Sequence, residues 1–385
     1  MTQPLRVLHV IERMDRGGAE ALLMNLYRAI DRDVIQFDFM VHTTEKAQYD
    51  DEIRALGGRI FRVNRFYGYN PYSYRRAWNK FFTEHLEHGM VHGHIASSAP
   101  IYLGVAQKFG RTTIAHAHSD TNGPGLLGFA LGVVNRFTPR VTDYFFACSA
   151  QAARHRFGAS VTDQPNYYFV PNGIDTAEYA YSPRARERVR EEFELGGTPV
   201  VGHVGRFDPQ KNHMFLIDVW RRILDNIPDA RFLLVGDGPL RGKVENKIAE
   251  AGLNDRVILT GVRTDVPDLL SAMDVFCFPS IHEGLGIVVL EAQASGLPSV
   301  ITDTIPPEVD VTDQVTRLAL NQGTQVWADM VANLLASPAV RDAVSAKQVA
   351  DAGFDVNQVA SWLTDFYLTH NFERRGQTPG QSSPM

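Results

Sequence analysis

Two doubly wound α/β domains are predicted by three features of this sequence. Short apolar runs alternate with amphipathic stretches along most of the chain. The alternation pauses at Pro171-Asn172-Gly173-Ile174-Asp175 and then restarts. The 385 residues are also too many for one ordinary core. A β-α-β-α rhythm implies parallel sheets covered by helices.

In chain order, the apolar runs expected as strands in the first half are Arg6–Ile11, Gln36–Val41, Met90–His94, Thr112–His116, Tyr144–Ala147 and Tyr168–Val170. Between them the 3.6-residue spacing predicts helices over Ala19–Ile30, Tyr72–Glu87, Ala99–Phe109 and Ala150–Phe157. The Asn-Gly turn after Pro171 and a charged helix, Arg184–Glu194, open the second half. Its strands are expected at Val200–Val204, Arg231–Val235, Val257–Thr260, Val275–Phe278 and Ser299–Ile301. Its helices are expected near Asn212–Asn226, Arg241–Ala251, Val266–Ala272, Ile287–Ser295 and Gln325–Ala336. A last helix, about Asn357–His370, carries Trp362, Phe366 and Tyr367. The expected division is 1–180, 181–352, a terminal helix within 353–372, and a polar tail at 373–385 that cannot bury a core.

Composition narrows the function. Hydrophobic residues make up 44% and charged residues 21%, an ordinary globular balance. Lys plus Arg (38) against Asp plus Glu (44) leaves −6, which gives no footprint for nucleic acid. Cys148 and Cys277 sit in apolar, aromatic runs and read as buried free thiols of a reducing cytoplasm. No basic stretch leads into an apolar one at the start, so no signal peptide is expected. No apolar run reaches about 18 residues, so no spanning helix is expected.

Open α/β sheets bind ligands beyond the carboxyl ends of their strands. Ligands are therefore expected at the loops there, in the cleft between two facing domains. After one strand the chain reads S-I-H-E-G-L-G-I-V-V-L-E, with Glu283 in a glycine-flanked loop and Glu291 in the helix that follows. A helix starting near Gly286 would set its free N–H groups between the two carboxylates. That is a cradle for an anionic ligand with hydroxyls at both ends, such as a nucleotide sugar. The alternative is a loop carboxylate near a helix start and a solvated helix glutamate.

Gly17-Gly18 precedes a helix, where a backbone can approach a phosphate or sugar, or can simply turn. Gly205, Arg206 and Lys211 lie in the loop after the first strand of the second half, where two cations could meet phosphate or could be plain surface charge. V-G-D-G-P-L at Val235–Leu240 is better read as a turn than as a phosphate loop. His92/His94 and His116/His118 form two H-x-H pairs, each on one strand face. No cysteine or carboxylate completes a metal set, so a polar cleft rim is the better reading. Asp31-Arg32-Asp33 follows a helix end and reads as a solvated turn.

Taken together, these motifs resemble the retaining glycosyltransferases of the GT-B fold, family four. The matches run in order: Gly17–Glu20, Pro171–Asp175, Gly205–Asn212, Val235–Pro239 and Pro279–Ala292. Within the family the chain looks most like enzymes of bacterial capsule or exopolysaccharide synthesis.

The resemblance implies two Rossmann-like domains facing a cleft, with the terminal helix crossing back to the first. It implies that Arg206 and Lys211 bind the donor diphosphate, Glu283 the transferred sugar and Glu291 the ribose. Amides near Leu285, Gly286 and Ile287 would meet the sugar or phosphate. Gly17-Gly18 would approach the diphosphate, His118 would contact the sugar near the reacting carbon, and Arg263 would border the base. It implies transfer of a hexose or N-acetylhexosamine, with a UDP-linked donor favoured, to a glycan or lipid-linked acceptor, without metal or cofactor. The family is generally assigned a front-face substitution in which the leaving phosphate accepts the acceptor's proton. Two alternatives stay open: a sugar-nucleotide 2-epimerase of the same architecture, and a non-catalytic sugar-nucleotide-binding subunit.

The segment Gly123–Arg140 is apolar at one end and carries Arg136 and Arg140 at the other. It reads as a core helix, or as a peripheral face against the inner side of the plasma membrane.

Overall fold

The computed structural model of the chain describes residues 3–15, 17–118, 135–337 and 340–372. Two compact units result: Met1–Gly173 with Val356–Met385, and Ile174–Asp355. The first boundary falls seven residues before the expected 180, because residues 174 to 180 already belong to the second unit. There Ile174 pairs with Asp355 and donates its N–H to the Phe354 carbonyl (2.8 Å). The Thr176 hydroxyl donates to the Asp355 carboxylate (2.7 Å), so chain entry and exit are tied side by side.

The first unit holds one parallel sheet, in the order β3-β2-β1-β4-β5-β6-β7. Its strands are β1 (Leu5–Ile11), β2 (Ile35–Val41), β3 (Ile60–Arg62), β4 (Met90–Gly93), β5 (Thr112–Ala117), β6 (Tyr144–Ala147) and β7 (Tyr167–Phe169). Both faces are covered, so every residue of β2 is buried, Asp38 included. That carboxylate accepts from Arg6, Arg59 and His88. Burial alone would raise its pKa, but those three donors hold it well below the usual carboxylate range. The chain returns to this unit through the helix Val356–Phe372. Its Val356, Val359, Ala360, Leu363, Phe366 and Tyr367 face the core at helical spacing.

The second unit repeats the plan with the order β10-β9-β8-β11-β12-β13. These strands are β8 (Val200–Val204), β9 (Arg231–Val235), β10 (Val257–Gly261), β11 (Val275–Phe278), β12 (Ser299–Thr302) and β13 (Val315–Leu318). In each unit the strand order reverses at the first strand, between β1 and β4 and between β8 and β11. Connections on either side of such a point diverge and leave a crevice at the carboxyl ends. The loops after β8 and β11 are therefore neighbours.

β3, β13 and the helices Asp50–Ala55 and Val344–Val349 go beyond the sequence expectation. Both strands are short edge strands whose apolar signal is diluted by arginine. Cys148 and Cys277 are buried and are not joined in a disulfide. Asp31-Arg32-Asp33 is a turn, with the Asp33 N–H on the Asp31 carboxylate (3.0 Å). No helix among the described residues is long and apolar enough to cross a membrane. Most of the Gly123–Arg140 segment, and the tail, lie outside the described residues.

Candidate functional site

The second unit builds its site from the two loops at the β8/β11 switch point. Gly205, Arg206, Phe207 and Asp208 follow β8. Phe207 is buried and anchors the loop: its N–H donates to the Asp237 carbonyl and its carbonyl accepts from Leu240, both at 3.0 Å. The V-G-D-G-P stretch therefore buttresses this loop. A Cβ at Gly236 would lie 2.1 Å from the Gly205 carbonyl oxygen, and Gly236 has φ +132°. A Cβ at Gly238 would lie 2.6 Å from the Phe207 oxygen. Only glycine permits two backbones this close.

Asp208 caps the short turn Pro209–Lys211 by accepting from the Lys211 N–H (3.2 Å). Asn212 then takes a left-handed conformation (φ 55°), so the following helix is His213–Asn226. Asn tolerates that region better than most residues. Arg206 is exposed, and its side chain has no ion pair or hydrogen bond among the described residues.

Lys211 reaches across to the loop after β11. Its Nζ lies 2.6 Å from Oε1 of Glu283 and 4.8 Å from the centroid of the Phe278 ring. The Ser280 hydroxyl donates to the same carboxylate oxygen (2.6 Å). Gln210 stitches the loops: its carbonyl accepts from Ile281 N–H (2.8 Å) and its amide donates to the His282 carbonyl (2.7 Å). Glu283 is 8% exposed, so its position is set rather than sampled.

Leu285 is buried, and Gly286 (φ 91°) turns the chain into the helix Ile287–Ala294. No acidic residue lies in the first turn of that helix, which leaves the amide end open to an anion. Glu291 sits further along it. Burial raises its carboxyl pKa to about 7; the Tyr179 hydroxyl, donating to it, and the Lys211 charge oppose the shift. The structure thus brings Lys211, Glu283, the amide end at Gly286–Ile287 and Glu291 together, with Gly205 and Arg206 on the adjoining loop.

Sequence reasoning left out Ser280, Gln210, Tyr179 and His203. The His203 Nδ1–H donates to the Cys277 carbonyl (2.9 Å), and its Nε2 lies 3.1 Å from where a Cβ at Gly205 would be. Burial, then the neighbouring His213, push its pKa well below the usual range, so it stays neutral beneath the cationic loop. Ser280 lay inside the quoted motif, but Tyr179 has no local sequence signal. Arg263, after β10, is engaged by Asp265 (2.7 Å) and Glu192 (2.8 Å).

In the first unit Gly17 is the N-cap of the helix Gly18–Ala29 in an extended conformation. Its lack of a Cβ makes room for the Glu20 carboxylate, which would otherwise lie 2.3 Å away; beside Gly18 the space is open. The histidines differ from the expected polar rim. His9 joins the two H-x-H pairs, and His9, His92, His94 and His116 are buried. Two hydrogen-bonded chains result, one from β1 past the ends of β4 and β5 and one across β4 and β5. One runs His9 Nδ1 to His94 Nε2 (3.1 Å) and His94 Nδ1 to His118 Nε2 (2.7 Å). The other runs from the Tyr367 hydroxyl to His92 Nδ1 (2.7 Å) and His92 Nε2 to His116 Nδ1 (3.1 Å). Adjacent parallel strands stack every second residue into one row, which the H-x-H spacing alone does not reveal. Burial is the largest cause depressing these rings; the Asp38 charge opposes it at His9, and His118 falls to about 3.

Two family models cover most of the chain: "Glycosyltransferase Family 4" matches residues 16–178 and "Glycosyl transferases group 1" matches 198–337. The chain is 33% identical over 370 residues to EpsF of Bacillus subtilis (strain 168), assigned as a glycosyltransferase, covering 94% of this chain and 96% of that one. It is 37% identical over 140 residues to the UDP-Gal:alpha-D-GlcNAc-diphosphoundecaprenol alpha-1,3-galactosyltransferase of Escherichia coli, 35% of this chain and 36% of that one. The fold matches Anabaena Alr3699/HepE, solved with UDP, at a TM-score of 0.78 and 18% identity, covering 94% of this chain and 100% of that one.

Proposed function

The chain belongs to the family-four glycosyltransferases of the GT-B fold, and from that footing we propose that it is a retaining enzyme using a nucleoside-diphosphate sugar. The donor is a hexose or N-acetylhexosamine carried on UDP. The acceptor is a glycan or lipid-linked sugar of a bacterial surface polysaccharide, on the cytoplasmic side of the membrane. The names of the Escherichia coli relative and of the HepE complex support UDP. The EpsF likeness supports the polysaccharide setting only through its family. Both family models and the two named relatives are glycosyltransferases by name, which favours transfer over the epimerase and the non-catalytic subunit.

The observation that carries the reading is the Lys211–Glu283 pair beside an open helix N-terminus. The hard part of glycosyl transfer is stabilising the departing diphosphate. Arg206, Lys211 and the amides at Gly286–Ile287 are positive groups for that charge, Lys211 held in place by Glu283. They would supply it without a metal. Glu283, tied to Lys211 and Ser280, is suited to orienting sugar hydroxyls rather than to attacking carbon. Retention then follows a front-face path: the acceptor oxygen bonds to the anomeric carbon as the diphosphate leaves, and the leaving phosphate takes the acceptor proton. Glu291 accepts from the ribose hydroxyls, and Arg263 borders the base once the ligand draws it from its carboxylates.

Peripheral membrane contact is part of the proposal. Tyr67 (59% exposed), Tyr69 and Tyr72 (both 83%) stand beside exposed Arg75 and Arg76 at the start of the helix Pro71–Glu84. Aromatic and basic groups together suit an anionic lipid surface. Absence of co-sedimentation with anionic vesicles would remove this part.

A thermal-shift panel of nucleotide sugars in EDTA, followed by NMR of the product's anomeric configuration, tests the reading. Stabilisation by a UDP-sugar and retained configuration are expected. Inversion, or a strict metal requirement, would overturn the mechanism.

A further inference from the structure

Arg156 is a buried cation with three of its five N–H donors unused among the described residues. It lies on the helix Ala150–Phe157 after β6 and is 8% exposed. Its Nη1 donates to the carbonyls of His116 (2.5 Å) and His94 (3.3 Å). Its Nε and Nη2 are buried and have no hydrogen-bond partner among the described residues. No carboxylate pairs with it among the described residues. Burial lowers its pKa to about 10, which still leaves it charged near neutrality. A buried charge facing neutral groups alone is costly, and ordinarily finds an opposite charge.

The unused donors form the flat two-nitrogen edge that fits two oxygens of one oxyanion. Two rings that feel its charge each carry a buried nitrogen with no partner among the described residues: Nε2 of His116 and Nδ1 of His118. The carbonyls that hold Arg156 lie at and just beyond the carboxyl ends of β5 and β4, where an open α/β sheet takes its ligands.

We propose that Arg156, His116 and His118 form a phosphate-type oxyanion site in the first unit, distinct from the cations of the second unit. Donors from two directions suit a tetrahedral phosphate better than a planar carboxylate, which the guanidinium fork alone would satisfy. The imidazole chain has a tautomer that makes His118 a donor at no cost in charge, and an anion selects it. In that tautomer His9 Nδ1–H donates to His94 Nε2, His94 Nδ1–H donates to His118 Nε2, and the His118 proton is left on Nδ1 for the anion. The site rests on the proposed function only for the anion's source, which is then the phosphate of a lipid-linked acceptor; free phosphate has the same chemistry.

The test is thermal unfolding of the full chain against rising orthophosphate and, separately, geranyl diphosphate. Wild type, Arg156→Met, Arg156→Lys and Lys211→Ala are compared. A saturable rise in Tm is expected for wild type and Lys211→Ala. The apparent Kd should weaken about tenfold or more in Arg156→Met, a loss of about 1.4 kcal/mol, with Arg156→Lys between. Met removes an unpaired buried charge and should leave the fold intact; if it does not fold, the Lys variant decides by the same measure. No saturable response in wild type, or an unchanged response in the Arg156 variants, overturns the site. So does a response lost in Lys211→Ala and kept in Arg156→Met, which would belong to the second unit and leave the proposed function standing. Tighter binding of geranyl diphosphate assigns the anion to a lipid-linked acceptor, and tighter binding of orthophosphate to the free ion. Failure of sugar transfer with the phosphate response intact would sink the proposed function and keep the site.

Discussion

The Lys211 ammonium and the Glu283 carboxylate, 72 residues apart in sequence, meet at 2.6 Å where the loops after β8 and β11 converge. Their side chains are 17% and 10% exposed. Each holds the other in place, so the cation meant for a leaving phosphate and the acceptor meant for sugar hydroxyls arrive as one unit.

That coupling has a stability signature. Lys211→Ala strands the Glu283 charge and should lower Tm. Adding Glu283→Gln should recover much of the loss without recovering turnover, because removing one partner of a buried pair costs more than neutralising both. Differential scanning calorimetry of the two singles and the double checks this. A double variant less stable than either single would contradict it.

Glu291 should give donor binding a pH dependence. Its pKa is raised from about 4.5 to about 7 in the folded chain, which binds the proton more tightly than the unfolded chain does. This group's contribution to stability is therefore present below about 4.5 and lost as pH rises to about 7. Glu291→Gln should flatten that slope and be the more stable form, relative to wild type, at pH 8 than at pH 5. UDP affinity of wild type should rise with pH through about 7, as the carboxylate becomes an acceptor. A Gln variant with an unchanged affinity profile would exclude this role.

The buried imidazoles act in the opposite direction. His9 and His118 are lowered to about 3 and His42 and His213 to about 4, burial being the largest cause in each. The unfolded chain, with histidines near 6.5, binds more protons between those values. Stability should fall as pH drops below about 6.5, with several protons taken up on unfolding. Replacing His9 or His116 by Phe should each reduce the slope of Tm against pH between 7 and 5. Equal slopes would show that these rings do not charge on unfolding.

Glycine placement gives a paired prediction. Gly236→Ala puts a methyl 2.1 Å from the Gly205 carbonyl at φ +132° and should cost about 2 kcal/mol or more, with loss of turnover. Gly242→Ala meets nothing within 4 Å, in the helix Arg241–Glu250, and should stabilise by about 0.5 kcal/mol. Chemical denaturation of both variants separates the two effects.

The long apolar strands and the glycine loops were legible in the sequence because each is a local pattern. Gly286 turns into its helix where the spacing placed it, and the two glutamates do flank that helix start. The edge strand Ile60–Arg62 was not legible, since three residues carry no period. Nor were the long-range partners: Tyr179 on Glu291, Ser280 on Glu283, and Tyr367 on His92, 275 residues away. The histidine pairs misled because alternation fixes a shared face but not whether that face is wet. Arg156 gave no hint, since an arginine in a basic helix end looks solvated until the fold buries it.

The central claim is that Arg206 and Lys211 stabilise the departing diphosphate. Single-turnover release of UDP from the preferred UDP-sugar, with acceptor present, tests it most directly. Arg206→Ala and Lys211→Ala should each slow release on the order of a hundredfold or more while the fold survives. Wild-type release rates in both variants would contradict the account.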